Sequence, residues 1–330
     1  MKLRRTLIAA VIAVAAATVV AAGSASPAVG TPSFNQIAYT SFDARDNGHD
    51  VMLARTDGSD VTNITHDGTA KNNADPNWSA NGMKVAYTSY YANGGADIIA
   101  VNANGKGARN LTGPSARPGI LNIHPTWAPN GSIVFASNRD GNFDLYRIGL
   151  TVTDQVRPVQ MTFSASPVQN YDPDYSADGK MLAFSRTAFS ITNGNAASIL
   201  TMSSIPGALA KKLTQSFAGR LGDRGAAWSP NGRQIAFYSD RAGSTDLYLV
   251  NRNGSGVRQL TTTKAADSAP SWSPDSNMLV FLSDRTGHTE LWMTSLFGAN
   301  PGPPVAWQVT ADKDHKGAPD WQPTVLSDRD

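Results

Sequence analysis

Between Trp228 and Thr261 the chain alternates apolar and polar residues in short runs, each cut by a turn signal. That period of two predicts strands. Trp228 ends a first strand, and Ser229-Pro230-Asn231-Gly232 forms the turn after it, because Pro presets φ and Gly accepts the positive φ that closes the turn. Ile235 to Ser239 is a second strand, and Asp240 to Thr245 is a hairpin loop. In a third strand, Asp246 to Val250, Leu247 and Leu249 alternate with Tyr248 and Val250. Asn253-Gly254 is a strong short-hairpin signal, and Gln259-Leu260-Thr261 lies in a fourth strand. Four short antiparallel strands of this size make one propeller blade.

The unit recurs. Its first-strand aromatic appears as Trp78, Trp127, Tyr175, Trp228, Trp272 and Trp321, at spacings of 44 to 53 residues. The second strand returns as Ile37-Ala38-Tyr39, Val85-Ala86-Tyr87, Ile133-Val134-Phe135, Leu182-Ala183-Phe184, Ile235-Ala236-Phe237 and Leu279-Val280-Phe281. The last strand closes on an apolar residue followed by Thr65, Thr112, Thr162, Thr214, Thr261 or Thr310. From Phe34 the chain enters the repeat at its second strand, around Ile37 to Ser41, and Ala318-Pro319-Asp320-Trp321 is an orphan first strand at the other end. The two ends complement each other, which hides the sheet edges. The expected fold is therefore all-β: a six-bladed β-propeller of four-stranded antiparallel blades, its ring closed by pairing of the two termini, over residues 34–323. The blade from Tyr175 is the least regular. It has an insertion at Thr187 to Ala197, and its third strand lacks the leading Asp seen at Asp97, Asp144 and Asp246.

Charge and leader refine this picture. Lys2, Arg4 and Arg5 precede an apolar run from Leu7 to Ala22 and small residues from Gly23 to Ala28, the pattern of a cleaved signal peptide over residues 1–28. The chain is thus expected to be secreted or periplasmic, without a membrane span after processing. The whole sequence holds 28 Lys and Arg against 26 Asp and Glu; the leader holds three of those bases and no acid, leaving 25 against 26. A near-neutral chain without clustered base argues against a nucleic-acid partner. There is no Cys, so neither a disulfide framework nor a lipidated Cys is available. A monomer is expected.

The pattern P-x-W-S-P-[ND]-G-x-x-I-A-F-x-S-[DN]-R-x-G-x-x-D-[IL]-Y, closing on L-T, is carried best by Pro125 to Tyr146 and Trp228 to Tyr248. It resembles the WD-like propeller repeat of the TolB family and covers nearly all of the chain after the leader. TolB itself has an α/β domain before its propeller. Here the leader runs straight into the first blade, and no such domain is expected. The resemblance implies the fold and a platform for binding.

The five His form no metal-ligand pattern, no cofactor motif is present, and Asp172-Pro173-Asp174 with Asp178-Gly179 lacks the spacing of a calcium loop. Arg139, Arg241 and Arg285 recur at equivalent hairpin positions, which assigns them to the blade; Asp144, Asp246 and Glu290 are the expected partners across each hairpin. Residues that differ between blades yet converge in space are better site candidates. The loops entering the first strands carry Asp75, His124, Asp172, Arg224 and His315, and one hairpin on the same face carries Tyr90 and Tyr91. Mixed charge with exposed Tyr suits a protein, peptide or glycan of the cell envelope bound at the central channel mouth. The competing class is a secreted polysaccharide lyase or glycosidase in the funnel, which needs Asp75, His124 and Asp172 in one pocket. The binding reading is adopted, with no catalytic residue assigned.

Overall fold

The computed structural model describes residues 35–43, 48–65, 72–113, 118–150, 157–188, 196–215, 217, 219–296 and 305–324. All of them fall within one compact unit. The expected leader, Lys71 and most of the insertion in the fourth blade lie outside the described residues. Among those described there is no helix, and the strands sort into six four-stranded sheets. In the second blade the order from the axis outward is Asn72–Trp78, Lys84–Tyr90, Ala96–Asn102 and Arg109–Asn110. The third to sixth blades repeat it, with inner strands Asn122–Trp127, Gln169–Tyr175, Asp223–Trp228 and Asp267–Trp272.

The first blade is composite, as the sequence requires. Its inner strand is His315–Trp321, paired antiparallel with Gln36–Asp43, so that Trp321 faces Ile37 and His315 faces Phe42. The six inner strands touch one another in sequence around the axis, and the last touches the first. This closes the six-bladed ring.

Apolar side chains occur on both faces of every blade because each blade is sandwiched between two others. Six clusters fill the six blade interfaces. In one, Trp127 and Phe135 of the third blade pack on Ile98 and Leu111 of the second. In another, Trp321 and Tyr39 of the composite blade pack on Leu291 and Met293 of the sixth. The repeated aromatic is thus an interface residue, and each buried one contributes a few kcal/mol, roughly what its apolar area predicts.

The closing Thr has a repeated role. Its hydroxyl accepts a backbone N–H from the third strand in all six blades, at 2.9–3.2 Å. In five of them the same hydroxyl donates to a third-strand carboxylate: Asp50, Asp97, Asp144, Asp246 or Glu290. Those carboxylates are therefore engaged outward, and the expected pairing across the hairpin with the repeated Arg does not form. Arg241 and Arg285 reach inward instead, to Asp223 and Asp267 at the start of the inner strand, both fully buried, at 2.6 and 2.9 Å. Arg139 donates to Asn122 at the same place. Each guanidinium also stacks on the aromatics of its own blade, Arg285 at 4.5 Å from the Trp292 ring and Arg241 at 4.8 Å from that of Tyr248. The hairpin Arg is a clasp between inner strand and hairpin.

Candidate functional site

Every inner strand carries an irregularity in its register against the second strand, placed shortly before the aromatic. Three residues before that aromatic stand Asp75, His124, Asp172, Gly225, Ala269 and Ala318. The first five have positive φ, from +48° to +61°. A bulge of this kind bends a strand and re-aims its side chain. Non-Gly residues seldom adopt this conformation, and held strain of this type gathers at functional positions. At Gly225 the reason for Gly is also steric: a Cβ there would lie 2.5 Å from the Tyr238 ring.

The bulges bring three consecutive blades together. Nδ1 of His124 lies 2.7 Å from Oδ1 of Asp172, outside the angle of a straight hydrogen bond, and Nε2 lies 3.6 Å from Oδ2 of Asp75. The backbone supports the arrangement. His124 N–H donates to Thr88 Oγ1 at 3.1 Å, Gly225 N–H donates to Ser185 Oγ at 3.1 Å, and Ser185 Oγ donates to Asp172 Oδ2 at 3.0 Å.

Burial disfavours charge on His124, but the Asp75 and Asp172 carboxylates outweigh it and push the imidazole up to about 9. Burial also acts against the charge of Asp172. The His124 cation, with the Ser185 hydroxyl and the Gly225 N–H, overcomes it and holds that carboxyl below its ordinary value. At neutral pH the cluster is a carboxylate–imidazolium–carboxylate bridge. Burial first, then neighbouring carboxylates, push the Tyr90 and Tyr238 phenols well above their usual range, so both stay neutral donors.

Asp75, His124, Asp172 and Tyr238 line a cavity of about 750 Å3 along the axis. Its other end is bounded by Ala80, Pro129, Ala177, Pro230, Pro274 and Pro323, the turn residues that follow each aromatic. At the bulge end a second cavity of about 380 Å3 is lined by Thr40, Phe42, His49, Asp75, His315 and Lys316.

The sequence places Asp75, His124, Asp172, Arg224 and His315 in loops before the first strands. The structure places all five within the inner strands, which begin two to three residues before Asp75, His124 and Asp172, one before Arg224 and at His315 itself, because pairing continues past the bulge. Asp75, His124 and Asp172 are therefore not simple solvated loop residues; their side chains are 24 %, 31 % and 26 % exposed. Arg224 is near enough to act on Tyr171 and Tyr238. Tyr171 packs on Phe143 and lies 6.4 Å from the His124 ring. His315 stands apart from the bridge, exposed beside Thr289 and 6.0 Å from the His288 ring. Tyr90 closes its strand within reach of Asp75, and Tyr91 follows it, half-buried. Among the described residues no cluster of His, Asp and Glu is arranged to hold a metal.

Two functional candidates were not singled out in the sequence. Asp174 and Asp320 each stand one residue before the blade aromatic and line the 750 Å3 cavity. Burial pushes Asp174 up to about 6 and Asp320 up to about 7, the latter helped by the charge of Asp174. The signal was available: the other four blades carry Asn77, Thr126, Ala227 and Ser271 at this position, so a carboxylate is no property of the repeat.

Comparison with known proteins agrees with this architecture. The chain is similar to TolB of Acinetobacter baumannii, at 22 % identity and a TM-score of 0.70 over 88 % of this chain and 67 % of that one. It is similar to a putative TolB of Agrobacterium tumefaciens at 20 % identity and a TM-score of 0.61, over 86 % and 91 %. A third likeness, at 17 % identity and a TM-score of 0.68, is to the Kuenenia stuttgartiensis hydrazine synthase, over 87 % of this chain and 46 % of that one. At these identities the shared property is the fold. The family model described as the TolB beta propeller domain matches residues 15–220 and 200–325, and the chain belongs to that family.

Proposed function

We propose that this protein is a periplasmic or secreted binding platform whose partner is a polypeptide of the cell envelope, seated at the bulge end of the central channel. The observation that supports this reading most is the convergence of Asp75, His124 and Asp172 from three blades onto one cavity, flanked by Arg224 and by Tyr90, Tyr171 and Tyr238. Fixed charges of both signs beside neutral phenols suit hydrogen-bonding and ionic recognition of a protein surface. Family membership supports the same class, as does the basic, apolar leader that precedes the repeat.

The same convergence is the observation an enzyme reading would use. Both imidazole nitrogens face carboxylates, however, and a histidine held up to about 9 is a cation at neutral pH and a poor general base there. Binding is the reading the geometry favours.

The test is capture of envelope proteins on the immobilised mature chain, compared with a His124→Gln, Arg224→Gln variant. The wild type should retain a partner that the variant releases, with both proteins folded by circular dichroism. A partner retained equally by the two would place the binding surface elsewhere. Turnover of an oligouronide or an oligosaccharide by the wild type, lost in the variant, would favour the enzyme.

A further inference from the structure

The outer wall between the third and fourth blades breaks the pattern of the repeat. The turn joining third and fourth strands is polar in the first, second and fifth blades, at Asp57-Gly58-Ser59, Asn104-Gly105-Lys106 and Asn253-Gly254-Ser255. In the fourth blade it reads Ile205-Pro206-Gly207-Ala208-Leu209. Ile205 is 66 % exposed and Leu209 95 %. The turn is held in place. Ala208 N–H donates to the Ile205 carbonyl at 3.1 Å, and Gly207 N–H donates to the Met161 carbonyl of the third blade at 2.9 Å, while Pro206 fixes φ between them. Ala208 and Ala210 pack inward on the core, so Leu209 is left facing water.

The third blade meets this turn with a large apolar side chain of its own. The residue after the closing Thr is His66, Gly113, Phe163, Gln215, Thr262 or Ala311, so the blade does not require a ring there. Phe163 is 68 % exposed, and its ring lies 3.7 Å from where a Cβ on Gly207 would stand. Phe163, Ile205 and Leu209 line neither channel cavity. They make a raised apolar edge on the outside of the ring. Bases flank it. Lys211 and Lys212 follow the turn, Arg157 stands two residues before the third blade's outer strand, and all three are exposed. From Arg157 to Leu221 the sequence has only Asp172, Asp174 and Asp178 as acids. The first two line the channel, and Asp178 has Lys180 and Arg252 beside it.

We propose that this edge docks on an anionic lipid bilayer. Phe163, Ile205 and Leu209 enter the interface, and Arg157, Lys211 and Lys212 meet the phosphate headgroups. Shape and charge together favour a lipid surface over a protein. A protein partner needs a matched pocket for each protruding side chain. A bilayer is a fluid apolar phase that accepts such side chains without one, and its anionic headgroups complement the bases. The proposal is independent of the channel reading, because it uses none of the channel residues.

The test is flotation of the mature chain with two kinds of vesicle: equal parts phosphatidylglycerol and phosphatidylcholine, or phosphatidylcholine alone. The chain should partition onto the anionic vesicles about tenfold more strongly and should be released by raised salt. Phe163→Ser with Leu209→Ser removes the apolar anchor and should weaken binding about tenfold. Lys211→Gln with Lys212→Gln should weaken it several-fold on the anionic vesicles alone. Trp307→Ser is the control: Trp307 is 41 % exposed on the outer strand of the sixth blade, opposite the third, and its loss should change nothing. Circular dichroism checks that every variant is folded. No binding to anionic vesicles, equal binding to both kinds, or a Phe163, Leu209 variant that binds like the wild type overturns the proposal. So does a Trp307→Ser loss as large as that of the wall variant. An envelope protein released by the Phe163, Leu209 variant, with no vesicle binding by the wild type, would make the edge a protein site and overturn the lipid reading.

Discussion

His124 shows how much one side chain depends on its neighbours. Its folded value near 9 lies above the roughly 6.5 of an unfolded histidine. Its contribution to stability is therefore full below about pH 6.5 and is lost as pH rises through about 9. Asp172 is shifted the other way, so its contribution is present above the ordinary carboxyl value, roughly 4, and is lost as pH falls. The bridge should be intact between these limits. A proton-detected titration of His124 should give a midpoint near 9. His124→Gln should cost on the order of 1–2 kcal/mol at pH 7 and remove the loss of stability between pH 7 and 10. A midpoint near 6.5 would show that the carboxylates do not hold the charge.

Asp174 and Asp320 carry the opposite sign. Both are raised, Asp174 by burial and Asp320 by burial with the Asp174 charge, so the folded state binds protons that the unfolded state has lost. Their contribution falls as pH rises from about 4 through about 6 and 7. The groups facing them are Thr126, Asn77 and Ser271, with the N–H groups of Trp78, Tyr175, Trp228 and Trp321; apart from the two carboxyls themselves, none of these titrates in that range. Asp174→Asn with Asp320→Asn should raise the melting temperature at pH 8 and flatten its fall between pH 4 and 8. A double variant that melts with the wild-type pH dependence would contradict this.

At the scale of the element, the repeated hairpin Arg separates scaffold from site. Arg241→Ala leaves the fully buried Asp223 without its partner and should cost about 3 kcal/mol, with partner binding unchanged. Urea unfolding checks this; a loss below 0.5 kcal/mol would make the clasp ornamental. The division between repeated and variable positions was legible in the sequence, because Arg139, Arg241 and Arg285 share a register. Which acid they meet was not. Sequence neighbours across a hairpin suggested Asp144 and Asp246, but the third-strand acids are taken by the closing Thr, and the guanidinium turns toward the axis. The boundaries of the inner strands were missed for a related reason. A bulge keeps the strand paired beyond the proline, and turn signals in the sequence mark where regular pairing falters, not where it ends. The same bulge explains why candidates expected in loops line the channel instead. Asp174 and Asp320 were passed over because the run around Asp172-Pro173-Asp174 aligns on the ordinary repeat; only comparison of that one column across six blades shows that the charge is extra.

Over the whole molecule, the fold was legible almost completely. Spacing, turn chemistry and an orphan first strand at one end matching the blade that lacks it at the other require six blades and a composite closure, and the observed register joins Trp321 to Ile37 as that logic demands. Gln322 adds a latch that no pattern announces: its side chain accepts from Gln36 N–H and donates to the Gly82 carbonyl of the next blade. Removing residues 318–330 takes away Trp321 and this latch, opens the ring, and should sharply lower the melting temperature; a truncated chain that melts like the intact one would show that the ring closes by other contacts. Of the candidate site, the approach of Asp75, His124 and Asp172 to one cavity was legible; the partner was not.

The central claim is that recognition resides in the blade-specific residues lining the channel, while the repeated residues serve the fold. One measurement separates these directly: the affinity of the captured envelope partner for the mature chain, for the His124→Gln, Arg224→Gln variant and for the Arg139→Gln, Arg241→Gln variant, all at a temperature where each is folded. The account predicts at least a tenfold loss for the first variant and no change for the second. A partner that follows the hairpin arginines and ignores His124 and Arg224 would contradict it.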